Sequence, residues 1–321
     1  MSNPVLVEVV RSGFVESVHR GAVLALGPDG EVRFSAGDIT SPVFPRSSNK
    51  PLQALGMLRA GLDLEDGADL AIACASHSGE RTHVQRVLDL LARHDVPESA
   101  LHCPPDLPLH EPSRVAMLRA GEGPRRAAMN CSGKHAAMLA TCVQAGWPIG
   151  GYADPGHKLQ LLLAETVAEY TGEPIAHTGV DGCGAPLFAF SLTGLARAFA
   201  CLVTRRDGPE QRVADAMRAH PWLVAGTGRE DTQLMGAVPG LLAKGGAEGV
   251  HAVALPDGGA IALKIDDGAP RARGPLLVAV LRALDALPDD PAALADLSAP
   301  VLGAGQPVGE LRVPAGLLNG K

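Results

Sequence analysis

Val250-His251-Ala252-Val253-Ala254-Leu255, then Pro256-Asp257-Gly258, then Ala260-Ile261-Ala262-Leu263-Lys264-Ile265, closed by Asp266-Asp267-Gly268, reads as strand, tight turn and strand. Aliphatic and β-branched residues suit a pleated, half-buried surface, and Pro-Asp-Gly is a turn signal with a mechanism behind each residue. The same pattern stands near the other end of the chain. There Gly21 to Leu26 and Glu31 to Ala36 flank Pro28-Asp29-Gly30, and Val5 to Val10 precede them as a further strand.

Between these two hairpins the apolar residues recur at helical spacing over 52–61, 81–92, 134–146, 158–170, 186–203 and 211–219. An isolated strand is expected over Asp69 to Cys74, helices over 274–286 and 291–297, and a last edge strand over Glu310 to Val313. The order predicts a mixed α/β (α+β) fold in one domain spanning 1–321. An antiparallel sheet built from both chain ends, about 1–46 and about 235–321, is covered by helices, and a mainly helical part, about 47–234, is inserted between them.

With 321 residues, 46% of them apolar, the chain can bury a large core. No apolar run approaches the roughly 20 residues that span a bilayer, so no membrane partner is expected. Met1-Ser2-Asn3-Pro4 lacks the basic and apolar regions of a secretory signal, which makes the cytoplasm the expected compartment. A net charge of −7 without a Lys/Arg block disfavours nucleic acid and favours a small polar substrate.

Arg46-Ser47-Ser48-Asn49-Lys50-Pro51 opens an amphipathic stretch and places Ser47 one helical turn before Lys50. A serine hydroxyl facing a lysine amine is the geometry of a lysine-activated nucleophile. The chain holds 6 lysines against 22 arginines and 14 serines, and Ser-x-x-Lys occurs once. Arginine serves wherever only charge is needed, whereas lysine can lose its proton when buried, so retained lysines are informative. Lys50, Lys134 and Lys264 lie in motifs; Lys158, Lys244 and Lys321 read as surface positions.

A second candidate serine, Ser76, lies in Cys74-Ala75-Ser76-His77-Ser78-Gly79 ahead of the helix 81–92. Lys264, flanked by apolar residues in a strand, is either an edge residue facing solvent or an amine directed into a site. Asn130-Cys131-Ser132-Gly133-Lys134-His135 and Asp181-Gly182-Cys183-Gly184 bring two thiols, with nitrogen and carboxylate donors near them. Such a set suits zinc, and it is equally consistent with two buried thiols beside a glycine turn. His135 or a deprotonated Lys134 would complete a metal shell. Ala225-Gly226-Thr227-Gly228-Arg229 resembles a small anion-binding turn, placing Gly228 and Arg229 where a substrate carboxylate could bind. His77 stands in a motif, while His83, His94, His110 and His220 read as surface or capping residues. The six cysteines are scattered over the chain, so disulfides are not expected, and Cys142 and Cys201 read as core.

Taken together, these stretches, with Val7-Glu8-Val9-Val10-Arg11, Glu16-Ser17-Val18-His19-Arg20-Gly21, Thr178-Gly179-Val180 and Lys264-Ile265-Asp266-Asp267-Gly268, resemble the asparaginase II family, the rhizobial-type L-asparaginases. The resemblance implies a fold similar to serine β-lactamases and glutaminases, a homodimer, and hydrolysis of L-asparagine to L-aspartate and ammonia. It further implies two Ser-Lys tandems, Ser47 with Lys50 and Ser76 with Lys264, and zinc held by Cys131, Lys134 and Cys183 with a water near Asp181. Arg46, His135, Asp181, Gly228 and Arg229 are the expected substrate-binding residues. Lys50 in its neutral form would take the Ser47 proton, which predicts an alkaline optimum, and backbone N–H groups after Ser47 would receive the oxyanion. Two alternatives stand beside this reading. One is a serine β-lactamase-like hydrolase, disfavoured by the absence of Ser-Asp-Asn and Lys-Thr-Gly; the other is a non-catalytic zinc-stabilised binding protein.

Overall fold

The computed structural model describes residues 2–64, 66–288, 291–298 and 300–319. The described residues form the strands β1 (Val5–Arg11), β2 (Phe14–Leu26), β3 (Val32–Ala36), β4 (His177–Val180), β5 (Pro186–Ala189), β6 (Leu242–Gly245), β7 (Val250–Ala254), β8 (Ala260–Ile265), β9 (Val301–Gly303) and β10 (Gln306–Arg312). The α-helices are α1 (Lys50–Arg59), α2 (Gly67–Ala73), α3 (Arg81–Arg93), α4 (Glu111–Arg119), α5 (Ser132–Gln144), α6 (Lys158–Thr171), α7 (Leu192–Thr204), α8 (Pro209–Ala219), α9 (Pro221–Val224), α10 (Glu230–Ala237) and α11 (Arg273–Ala283). They fall into two compact units. One runs to Ser48 and adds Phe190–Thr204 and the chain from Gln233 onward; the other comprises Asn49–Ala189 and Arg205–Thr232.

The first unit is built on an antiparallel sheet in the order β6-β7-β8-β2-β1-β10-β9, with β3 also on β2. Its organising element is β2. Residues 14–20 pair with β1, whereas residues 21–26 pair with β8 on one edge and residues 23–26 with β3 on the other. The sheet thus joins both ends of the chain, as the two hairpins predict. β7 is buried throughout and β8 nearly so, and α7 packs on β2, β7 and β8 through Leu192, Leu195, Ala196, Phe199 and Leu202 at helical spacing. α11 packs on β1 and β10. Gly21, where β2 changes partner, approaches β8 so closely that a Cβ there would lie 2.1 Å from the Lys264 carbonyl oxygen.

The second unit is helical, with the small β4-β5 hairpin. α5 lies at its centre, buried from Ser132 to Cys142, and packs against α1, α2, α3 and α6. Close approach is set by glycines: a Cβ on Gly133 of α5 would meet the Ile72 carbonyl of α2 at 2.3 Å, and one on Gly56 of α1 would meet Leu163 of α6 at 2.6 Å. Asp69, in α2 and nearly inaccessible, is neutralised by ion pairs to Arg86 and Arg93 of α3.

Several local expectations are corrected. Asp69 to Cys74 lies in α2 and its cap, because Asp66 caps the helix by accepting the Ala68 N–H, and Ala-rich sequence propagates it. Over 186–203 the first four residues form β5, paired with β4, before α7 begins; α7 belongs to the sheet unit. The stretch 291–297 is a 3₁₀ segment, and β10 is an interior strand, since β9 takes the edge. Lys244 is buried, its amine donating to the Gly245 carbonyl at 2.8 Å, and His83 is buried, stacked on Trp222 with ring centroids 4.1 Å apart. Cys201 is half-buried, and Lys321 lies outside the described residues. None of the six cysteines, all described, forms a disulfide. Among the described residues no helix is long and apolar enough to cross a membrane.

Gly21→Ala forces a Cβ into a backbone carbonyl of the neighbouring strand. It is expected to lower the urea midpoint by an amount equivalent to about 1–3 kcal/mol without changing the slope of the transition.

Candidate active site

Lys50 is the second unit's most unusual residue. It is the first residue of α1, where Pro51 fixes the entry of the chain, and it is 1% exposed. Its amine lies 2.5 Å from the Ala75 carbonyl oxygen, 3.0 Å from Ser76 Oγ and 3.1 Å from Cys131 Sγ. Three acceptor atoms thus surround the amine.

The turn that carries Ser76 joins α2 to α3, and every residue near the serine is tied. Ser76 N–H donates to the Val224 carbonyl at 2.9 Å, His77 N–H to the Asn130 carbonyl at 3.1 Å, and Ser78 Oγ to the Ala225 carbonyl at 2.9 Å. The His77 ring completes the lock. Ser132 Oγ donates to the Ala127 carbonyl at 2.8 Å, so it accepts from His77 Nε2–H at 2.9 Å, while Nδ1 accepts the Gly79 N–H at 3.1 Å. This pattern requires the neutral ring, and complete burial, aided by His83 and Lys50, holds its pKa well below the ordinary histidine value.

Cys131 caps α5 and Lys134 lies one turn in. Lys134 is 2% exposed with its amine 3.1 Å from Cys183 Sγ, on the turn between β4 and β5. Gly184, at φ +84°, closes that turn, and Asp181 Oδ2 lies 3.3 Å from the same sulfur. The Cys131 and Cys183 sulfurs lie within 4.8 Å of each other; their interaction, with burial, raises the Cys131 pKa, and the same interaction, with Lys134 nearby, holds Cys183 below the usual thiol value. Burial alone would lower Lys134, but the thiolate beside it prevails and raises its pKa.

His135 Nδ1 lies 2.7 Å from the Tyr152 hydroxyl, which accepts the His102 N–H at 2.8 Å. Burial pushes the His135 pKa down to about 4 against the opposing pull of Cys183. Its Nε2 is buried without a hydrogen bond of normal geometry, with Cys183 as its neighbour. Cys131 Sγ, Cys183 Sγ and an Asp181 carboxylate oxygen lie within 4.8 Å of one another. Two sulfurs and a carboxylate oxygen, with imidazole and amine nitrogens adjacent, are donors that suit zinc.

The loop Ala225 to Arg229 is packed on the Ser76 turn. Thr227 donates through both its N–H and its hydroxyl to the Glu80 carboxylate, each at 2.9 Å, and Arg229 Nη1 lies 3.4 Å from Ser78 Oγ. Gly226, at φ +127°, leaves room for Ser78: a Cβ would lie 2.5 Å from its hydroxyl oxygen. The half-buried Arg229 guanidinium is thus held beside the serine turn, with Gly228 exposed next to it at φ +69°.

The remaining candidates belong to the first unit. Ser47, half-buried, is in the turn Arg46–Asn49; Arg46 has φ +51° and its guanidinium lies 3.8 Å from Glu248. Ser48 N–H already donates to the Pro45 carbonyl at 3.1 Å, so this group is engaged rather than held ready for an oxyanion. Lys264 is on an interior strand, between β2 and β7, with its amine donating to the Glu248 and Ile265 carbonyls at 2.7 and 2.6 Å; burial lowers its pKa. Sequence reasoning overlooked Tyr152, Ser132 and Asn130 as partners of the site. No motif signals Tyr152; it is joined to His135 only by the packing of the 150s loop.

In comparisons with known proteins, residues 7–313 match the L-asparaginase II family. No curated protein sequence matches the chain significantly. Among solved structures, Mglu in its native form has 14% identity and a TM-score of 0.45, and the match covers 84% of this chain and 65% of that one. A β-lactamase from Mycobacterium bovis has 16% identity and a TM-score of 0.41, covering 83% of this chain and 95% of that one. A Bacillus glutaminase has 13% identity and a TM-score of 0.38, covering 83% and 91%. At these levels the assignment rests on the sequence match alone, and because that match takes in every motif described above, the chain belongs to the L-asparaginase II family.

Proposed function

We propose that this protein hydrolyses L-asparagine to L-aspartate and ammonia by lysine-assisted serine catalysis. The observation that carries the proposal is the buried Lys50 amine, in contact with Ser76 Oγ, inside a chain of the L-asparaginase II family. Family membership supports an amidohydrolase acting on a small molecule; L-asparagine is the finer reading.

In the mechanism, Ser47 Oγ attacks the side-chain carboxamide carbon while its proton passes to Lys50, three residues on in the same turn of chain. The tetrahedral adduct collapses with cleavage of the carbon–nitrogen bond. The departing nitrogen takes a proton from Lys50, with Ser76 as the relay, since its hydroxyl already lies 3.0 Å from that amine. Water then attacks the ester, and aspartate leaves as Ser47 regains its proton. Lys264, whose amine donates to the Glu248 and Ile265 carbonyls, takes no step in this scheme. Arg46 and Arg229 are assigned the positive charge that binds the substrate α-carboxylate, and His135 and Asp181 are assigned to its α-ammonium side.

The Lys50–Ser76 contact also favours a second reading, in which Ser76 is the nucleophile and Lys50 its base. The two readings differ in which serine carries the acyl group.

Zinc fits the sulfur pair. Cys131, Cys183 and Lys134, the last giving up its proton to the solvent on binding, are proposed to hold it, with Asp181 and His135 adjacent; bound there, it would supply a fixed positive charge that neutralises the thiolates and orients the substrate. The chain's own residues carry every proton in the scheme above.

Lys50→Met is expected to reduce ammonia release from asparagine by ~10²–10⁴-fold with the fold retained, read by a coupled ammonia assay and circular dichroism. Intact mass after rapid quench should reveal an acyl adduct in the wild type that disappears in Ser47→Ala; persistence there, with loss in Ser76→Ala, selects the second reading. Metal analysis after dialysis against zinc is expected to find about one equivalent in the wild type and none in Cys183→Ser.

A further inference from the structure

The stretch that precedes α1 is held in place by a part of the sheet that the mechanism does not use. Pro45 accepts the Ser48 N–H at 3.1 Å, so Arg46 and Ser47 are the two central residues of a tight turn. Arg46 takes φ +51° there, the left-handed region that the Cβ of any residue but glycine makes costly.

The surroundings of the turn are the end of β6 and the residue after it. Ser48 is fully buried, and its hydroxyl donates to the Lys244 carbonyl at 2.9 Å. Gly246 lies against the same turn: a Cβ there would come within 2.5 Å of the Pro45 carbonyl oxygen and 3.2 Å of the Ser48 nitrogen. From the other direction Arg273 Nη1 donates to the Gly246 carbonyl at 2.6 Å, which keeps that glycine where the turn meets it. The seat holds the turn at Pro45 and Ser48, the residues at its two ends, while Arg46 lies 3.8 Å from Glu248, and the half-buried Ser47 stands between them.

We propose that Lys244–Gly246 and Arg273 form a seat for this turn, and that Ser48 is the positioning residue that fixes the backbone of Ser47 in it. The proposal rests on Ser47 being the nucleophile. It accounts for a buried hydroxyl next to the nucleophile that has no role in proton transfer, and for a Gly-Gly pair at 245–246 where β6 ends. Misplacement of an attacking atom by about 1 Å is enough to cost ~10²-fold in rate without loss of binding, so the seat acts on turnover.

The test uses the full chain with Ser48→Ala, which removes one hydrogen bond, and Gly246→Ala, which pushes on the Pro45 carbonyl instead. Three quantities are measured: kcat and KM for asparagine, the rate at which a fluorophosphonate labels Ser47 as located by peptide mapping, and thermal unfolding. Ser48→Ala is expected to lower kcat and the labelling rate together by ~10-fold or more with KM changed less than ~3-fold. Gly246→Ala should give the same split by its independent route; should it fail to fold, Ser48→Ala decides. Wild-type turnover and labelling in Ser48→Ala would overturn the seat, as would a wild-type protein whose Ser47 is not labelled at all. A wild type that labels at Ser47 but releases no ammonia from asparagine overturns the substrate reading instead, and the labelling rates then decide the seat.

Discussion

A primary amine buried to 1% exposure among a carbonyl oxygen, a hydroxyl and a thiol is the interaction around which the helical unit is arranged. Taking an amine out of water is costly unless its donors are met, so each of the three acceptors must be delivered to one point from a different part of the chain. Ala75 and Ser76 arrive on the α2–α3 turn, Cys131 on the cap of α5, and Lys50 itself on the first turn of α1. The ties on those segments make sense as the means of holding them there. His77 bonded to Ser132 fastens the serine turn to the α5 cap, and Gly133 lets α5 approach α2 closely enough for this to happen.

The sulfur pair adds a second constraint of the same kind. Two thiols and a carboxylate in one small volume would repel if all were ionised, and the arrangement eases this by raising the Cys131 pKa and placing the Lys134 amine against Cys183. The charges are balanced locally by a lysine that no surface role would explain. A metal ion would satisfy the same donors, which is why the pattern is readable both as an ion pair and as a ligand set.

The sheet unit works by a different principle. Its strands are held by burial and backbone pairing, and its contribution to the proposed chemistry is to present the ends of loops at defined places. β8 carries Lys264 between two partner strands, and the end of β6 supports the turn that contains Ser47. Two positive groups in this unit, the buried Lys244 and the half-buried Arg273, donate to backbone carbonyls of the 245–250 region. They brace loop geometry.

Much of this was legible in the chain itself. The two Pro-Asp-Gly hairpins at opposite ends determined that an antiparallel sheet would join the termini, because turn chemistry and alternation act over a few residues and need no partner to be recognised. The motifs likewise picked out Lys50, Ser76, Cys131, Lys134 and Cys183, since a scarce residue type in a particular spacing is visible without coordinates. What the sequence left open depended on contacts between distant segments. Asp69 to Cys74 has the apolar character of a buried strand and became a helix, since burial on several sides removes the periodicity that distinguishes the two. Lys244 and His83 looked like surface residues because nothing local records that a carbonyl or a tryptophan will meet them. The pairing of the Lys50 amine with Ser76, twenty-six residues away, was decided only by tertiary structure, for the physical reason that a buried amine takes whichever acceptors packing brings to it.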